Sequence, residues 1–216
     1  MRHTLEYNRE TLTDNEHHFI QSTVAKASHN NFMVQLINKQ SVMCEGQKVN
    51  GFVSESPNIL ATAVGKSKAK WILTLLHESC HMDQCIERAD VWKKADVTDS
   101  VDASTILFLW LDHLVEFNKA QLKDYTQRAL AVELDCEKRV VEKANRYGIE
   151  IDSAKYAQTA NAYVYFYLMV AKTRKWYAIG KEPYNVKEVW SQMPAHFNND
   201  YTKLPRKYAL LYKEHC

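Results

Sequence analysis

At 216 residues, 46% hydrophobic and 25% charged, with a formal charge of +2, the chain has an ordinary globular composition, and one domain over 1–216 is expected. That near balance of charge sets up no global field arguing for nucleic acid or a membrane as partner. The five cysteines, Cys44, Cys80, Cys85, Cys136 and Cys216, are odd in number and form no Cys-x-x-Cys pair, which argues against a disulfide framework and favours a reducing compartment.

Met1-Arg2-His3-Thr4-Leu5-Glu6-Tyr7 lacks an apolar signal core, and no run of about 18 apolar residues follows, so the expected location is cytoplasmic and no membrane partner is expected. Thr13-Asp14-Asn15-Glu16 offers a helix start, with Phe19, Ile20, Val24 and Ala25 as an apolar face through about Ser28. His17 and His18 are neighbours pointing in different directions and read as surface. Over about 32–64 the texture changes to short apolar runs, Phe32–Ile37, Ser41–Cys44, Val49–Val53 and Ile59–Val64. Glu45-Gly46-Gln47 and Ser56-Pro57-Asn58 punctuate them as turns, which predicts a small sheet. Gly65-Lys66-Ser67 lacks the earlier glycine of a phosphate-binding loop, Leu60 standing there instead. Ser67 reads as the N-cap of a helix over about 67–88, where Trp71, Ile72, Leu75, Leu76, Met82 and Ile86 recur at helical spacing.

Lys93 to Ser100 reads as a polar connection. Asp102 or Ser104 then caps a buried helix from Thr105 to Phe117, and a long helix follows over 119–147 with Gly148 as its stop. Asp152-Ser153 opens another helix to about Lys175, with Tyr156, Ala160, Tyr163, Tyr167 and Val170 on one broad face. From about 172 to 216 the chain is basic and aromatic, and Pro183, Pro194 and Pro205 break it into short elements. That mixture permits phosphate contacts and base stacking; its ordinary use is aromatics in the core and lysines in water, so nucleic acid is disfavoured as a partner. The expected fold class is α+β, mainly helical, with a small N-terminal sheet packed beside the 67–88 helix.

That helix carries the chemistry. His77-Glu78-Ser79-Cys80-His81 is a His-Glu-x-x-His pattern. On a helix, residues i and i+4 share a face about 6 Å apart, so both imidazoles can bind one metal ion. Glu78, rotated about 100° from His77, can act as a base toward a metal-bound water instead of as a ligand.

A catalytic zinc site usually has three protein ligands. Glu87 could swing back only if the helix broke at a glycine; Gln84 stands there, so Glu87 lies about 9 Å along the axis from His81 and is rejected. Glu133 and Glu137, i and i+4 on the 119–147 helix between Ala131-Val132 and Val140-Val141, are the better source. One can bind the metal while the other accepts the free N–H of a ligating histidine. His113, amid Trp110, Leu111, Leu114 and Phe117, is a rival ligand or a hydrogen-bonded core histidine. A thiolate also binds zinc well, and Cys80, Cys85 and Cys136 are near in sequence; Cys80 reads as a buried filler.

From about Val49 to Arg146 the order of these motifs resembles zinc metallopeptidases of the gluzincin type, which share the zincin fold. The resemblance implies a zinc cofactor, His77, His81 and Glu133 as ligands, Glu78 as general base and Glu137 as the supporting acid. Glu137 stands where such families usually carry Asp, so the reverse assignment of Glu133 and Glu137 stays open. It further implies hydrolysis of a peptide or protein substrate by zinc-activated water. Tyr156, Tyr163, Tyr167 and His196 are available as oxyanion donors, and Ile59–Val64, read as an edge strand, can hold an extended peptide. Two other readings remain: a catalytically silent zincin-fold interaction module, and a nucleic-acid binder using the basic aromatic C-terminal part.

Overall fold

Alternating side chains build the N-terminal sheet, and a capped helix lies between its first two strands in the chain. The computed structural model describes residues 3–44, 46–98, 101–178 and 180–216. Met1-Arg2, Glu45 of the expected 45–47 turn and the Asp99-Ser100 end of the expected polar connection lie outside them. The fold is α+β and mainly helical, as expected. The chain divides into two compact units: Met1–Ala89 with Arg139–Glu150, and Asp90–Lys138 with Ile151–Cys216.

In the first unit, Thr13 and Glu16 form a reciprocal capping box at the start of α1 (Asp14–His29), which satisfies two of the helix's orphan N–H groups. Six strands follow the chain as β1 (Thr4–Leu5), β2 (Met33–Ile37), β3 (Val42–Cys44), β4 (Gln47–Val49), β5 (Gly51–Glu55) and β6 (Asn58–Ala63). β3 and β4 form a separate hairpin, while the main sheet has the order β1-β2-β6-β5. β2 runs parallel to β1 and β6, and β5 antiparallel to β6.

This order corrects the expectation for Ile59–Val64. Those residues lie in and just after an interior strand flanked by β2 and β5, so β6 has no open edge to offer a peptide; among the described residues the edge strands are β1 and β5. Opposed residues in an antiparallel pair share a face, so Gly51 and Thr62, then Val53 and Leu60, lie on one face of the sheet. α2 (Lys68–Ile86) packs against β5 and β6. On the opposite face Ala61 and Ala63 pack with Val42, and Val49 and Phe52 close around them. Ser67 stands at the N-cap of α2 as expected, but its side chain makes no capping bond.

The second unit holds α3 (Asp90–Ala95), β7 (Asp96–Thr98), β8 (Val101–Asp102), α4 (Ala103–Leu111), the first part of α5 (Lys119–Tyr147), α6 (Ser153–Thr173), α7 (Lys187–Trp190) and α8 (Arg206–His215). The expected polar connection therefore contains the end of α3 and all of β7. Asp102 caps α4 by accepting from the Ser104 and Thr105 amides. α4 stops at Leu111 instead of Phe117, because His113 takes a left-handed conformation (φ 59°) and turns the chain.

α6 supplies the centre of this unit's core, with Tyr165, Phe166, Tyr167 and Val170 packed among Tyr201, Tyr208 and Tyr212. Buried Asn161 donates to the Pro194 and His196 carbonyls and accepts from Tyr201, pinning the 194–201 segment to α6. The C-terminal aromatics thus go largely into the core, while Lys172, Lys175, Lys187, Lys203, Lys207 and Lys213 are exposed. No helix among the described residues is long and apolar enough to cross a membrane.

Candidate metal centre

α2 is unbroken through Gln84 and ends at Ile86, so His77 and His81 lie on one face, as the i, i+4 spacing requires. Their Nε2 atoms are 3.1 Å apart, with the rings edge to face. His81 Nδ1 lies 2.8 Å from Oε1 of Gln84, which is fully buried. A carbonyl oxygen only accepts, so Nδ1 carries the proton and Nε2 keeps its lone pair. One turn of helix thus fixes both the orientation and the tautomer of His81.

Glu78 is only 8% exposed. A methyl group built on Gly51 of β5 would lie 2.7 Å from Glu78 Cγ, 2.8 Å from the Ala61 carbonyl oxygen and 2.9 Å from Thr74 Cγ2. Gly51 is therefore the residue that lets the edge strand pass over the Glu78 side chain, a close approach only glycine permits.

A charged network anchors another side of α2. Asp83 binds Lys143 of α5 at 2.7 Å and Lys26 of α1 at 2.8 Å, and Lys143 also donates to Ser79 Oγ at 2.9 Å. Glu87 pairs with Arg139 at 2.7 Å and Lys26 at 3.2 Å. Burial alone would raise the Glu87 pKa, but these two cations hold it below the usual carboxylate value. Burial alone would lower Lys26, and Asp83 with Glu87 holds it above the usual value. Glu87 is thus engaged in ion pairs at the C-cap of α2.

Of the expected third ligands, His113 is exposed in the turn after α4 and is not the core histidine that its apolar neighbours suggested. His77, Glu78 and His81 belong to the first compact unit, whereas Glu133, Cys136 and Glu137 belong to the second. Cys136 is fully buried. Burial, aided by Glu55, pushes the Cys85 thiol up to about 12 and so keeps it protonated.

The two glutamates face phenols. Glu137, buried, accepts from Tyr156, and Glu133 accepts from Tyr167 at 3.4 Å. Tyr163 and Tyr167 hydroxyls are 3.2 Å apart. Burial, then the charge of Glu133, pushes both phenols well above their ordinary pKa, so they remain hydrogen-bond donors. Burial also raises Tyr177 and Tyr184. His196 is exposed, and its backbone carbonyl is held by Asn161.

The residues missed by sequence reasoning are Gln84 as the lock on His81 and Gly51 as the slot for Glu78. The first has a signal, a hydrogen-bonding side chain i+3 from a ligand-type histidine; the second needs the strand order. Comparison with protein-family models, with curated proteins and with solved structures finds no match for the chain.

Proposed function

We propose that the protein is a zinc-dependent hydrolase of peptide bonds, in which His77 and His81 hold the metal and Glu78 is the general base. The observation that carries the reading is the pair of Nε2 atoms 3.1 Å apart with His81 locked by Gln84. Two nitrogens on one tetrahedral zinc, each about 2.0–2.1 Å from it, stand roughly 3.3 Å apart. The donor set fits that ion: two imidazoles, with a third ligand from α5. The resemblance assigns this ligand to Glu133. A zinc ion held there supplies Lewis acidity, making water more acidic and polarising a peptide carbonyl.

The chain's own residues do the rest. Glu78, adjacent to the ligand His77 and shielded from bulk water, takes the proton of the attacking water and hands it to the leaving amine. Among the described residues β5 pairs with β6 on one side only, so an extended peptide or protein segment adding to its other edge runs past Gly51 and the Glu78 carboxylate. Cysteines without a disulfide pattern fit work in the cytoplasm.

Protein purified without chelator is expected to carry about one zinc per chain and to cleave members of a diverse peptide library, with cleavage stopped by a chelator. His81→Ala is expected to reduce bound zinc to background. Absence of zinc, with no uptake on addition, ends the proposal; zinc without cleavage of any peptide favours a silent interaction module. Gly51→Ala tests the slot over Glu78: displacement of a reacting group by about 1 Å costs roughly 100-fold in turnover. The variant is expected to keep its zinc and lose turnover on that scale, as read by metal analysis and steady-state kinetics on one preparation.

A further inference from the structure

α6 ends at Thr173, where Arg174 turns left-handed (φ 50°) and donates to the Trp110 carbonyl at 2.8 Å and to Glu116 at 2.7 Å. The chain after it returns onto the helix. Trp176 lies 5.7 Å from Phe166 and 5.7 Å from Tyr167, and Tyr184, following the buried Pro183, lies 5.7 Å from Tyr163. All of these residues belong to the second compact unit.

The result is a closed circuit of five rings. Between centroids, Tyr163 to Tyr167 is 5.5 Å, Tyr167 to Trp176 5.7 Å, Trp176 to Tyr177 4.9 Å, Tyr177 to Tyr184 6.3 Å, and Tyr184 back to Tyr163 5.7 Å. Four corners turn by 78° to 90°, and the fifth, between chain neighbours, by 38°. Rings meeting at such angles do not stack on one another; they stand as walls. A pentagon with such sides has its centre at most about 4.8 Å from the centroids, inside the roughly 6 Å over which a ring face attracts a cation.

These rings differ in burial from the aromatics around them. Tyr165, Phe166, Tyr208 and Tyr212 of the same unit are buried, whereas Tyr163, Trp176, Tyr177 and Tyr184 are half-buried and Tyr167 is buried. Glu133 accepts from Tyr167 at 3.4 Å, which makes the face of that ring more electron-rich. Burial, with the charge of Glu133 as a further cause, raises the pKa of Tyr163, Tyr167 and Tyr177, so that charge lies within reach of three of the walls.

We infer that this ring circuit is a binding site for a methylated ammonium group, carried either by a small molecule or by a methylated lysine side chain. The inference stands independently of the zinc reading. A quaternary ammonium has no N–H to donate, and ring faces are what a protein offers it. A primary ammonium carries three donors that lose water on entering such a site.

The test is calorimetric titration of the full chain with choline chloride, with tetramethylammonium chloride and with neohexyl alcohol, the uncharged carbon analogue of choline. Both quaternary cations are expected to bind saturably, and the alcohol about 10- to 30-fold more weakly than choline. Tyr184→Leu removes one wall and is expected to weaken choline about 5-fold or more, while Tyr184→Phe keeps the ring and stays within about 2-fold of wild type. A peptide bearing trimethyllysine, measured beside the same peptide bearing lysine, separates the two sources. Tighter binding of the methylated peptide than of choline assigns the site to a protein side chain; the reverse assigns it to a small molecule.

No saturable binding of the quaternary cations or of the trimethyllysine peptide overturns the inference. Equal binding of neohexyl alcohol also overturns it, by making the circuit an apolar pocket indifferent to charge. Unchanged choline affinity in a folded Tyr184→Leu does the same. If Tyr184→Leu does not fold, the comparison of choline with the uncharged alcohol on the wild-type chain decides.

Discussion

Glu78→Gln is expected to keep the fold and the zinc and to lose hydrolysis. Glutamine has the shape of glutamate, so the slot between Gly51 and Thr74 that receives this side chain remains filled. What disappears is the ability to take a proton and return it. General acid–base catalysis contributes about 100- to 10,000-fold, and in the proposed mechanism Glu78 serves both halves of the reaction, so a fall in kcat of roughly 1,000-fold or more is expected. Metal analysis gives the control, because neither imidazole is altered. The variant also calibrates Gly51→Ala: if both act through one carboxylate, the double variant turns over no more slowly than Glu78→Gln alone. Retention of more than a tenth of wild-type turnover in Glu78→Gln removes Glu78 as the base.

The largest stability effect is expected from Asp83→Ala. Side chains of Asp83 and Lys143 are 12% and 11% exposed. Removing Asp83 leaves the Lys143 ammonium buried beside one hydroxyl, that of Ser79. A buried charge that loses its partner costs about 3–5 kcal/mol, or roughly 10 °C in melting temperature for a chain of this size. Lys143→Met is expected to cost less, since Asp83 keeps Lys26, itself 38% exposed and able to follow it. The pair Asp83→Leu with Lys143→Met removes both charges and is expected to recover most of the loss, because an apolar pair of similar volume needs no desolvation. Thermal melts of the four proteins check this. A cost below about 1 kcal/mol for Asp83→Ala means that the pair behaves as an exposed one.

Helix ends show why part of the fold was legible and part was not. α1, α2, α4 and α5 all close with the same two bonds, in which a left-handed residue and its successor donate back into the last turn. Those residues are Asn31, Arg88, His113 and Gly148. Glycine pays no penalty for this conformation, so Gly148 announced the end of α5. His113 does the same work invisibly: its amide reaches the Trp110 carbonyl and Leu114 the Leu109 carbonyl. The apolar run through Phe117 therefore read as helix, although Leu114 is 69% exposed.

β1 was missed for another reason. Two residues carry no alternation, and their partner is β2, Thr4 pairing with Gln35. Likewise nothing local says that β5 returns to the outside of β6. In the candidate site, His77, Glu78 and His81 were legible because one helix fixes their spacing. Gly51 and the phenols opposite Glu133 and Glu137 depend on which elements meet, which is a property of the tertiary fold.

The division of the chain has a consequence for the order in which it becomes structured. Neither compact unit is a continuous stretch, and the first is complete only when Arg139–Glu150 has been added. During synthesis, α2 emerges with both imidazoles and with Asp83, but Lys143 and Arg139 do not yet exist. In a nascent chain that stops at Ala89, Asp83 and Glu87 thus have Lys26 alone of the three cations that pair with them in the folded chain. The helix bearing His77 and His81 therefore gains Lys143 and Arg139 as anchors only later in translation, and no single cut in the polypeptide releases either unit whole.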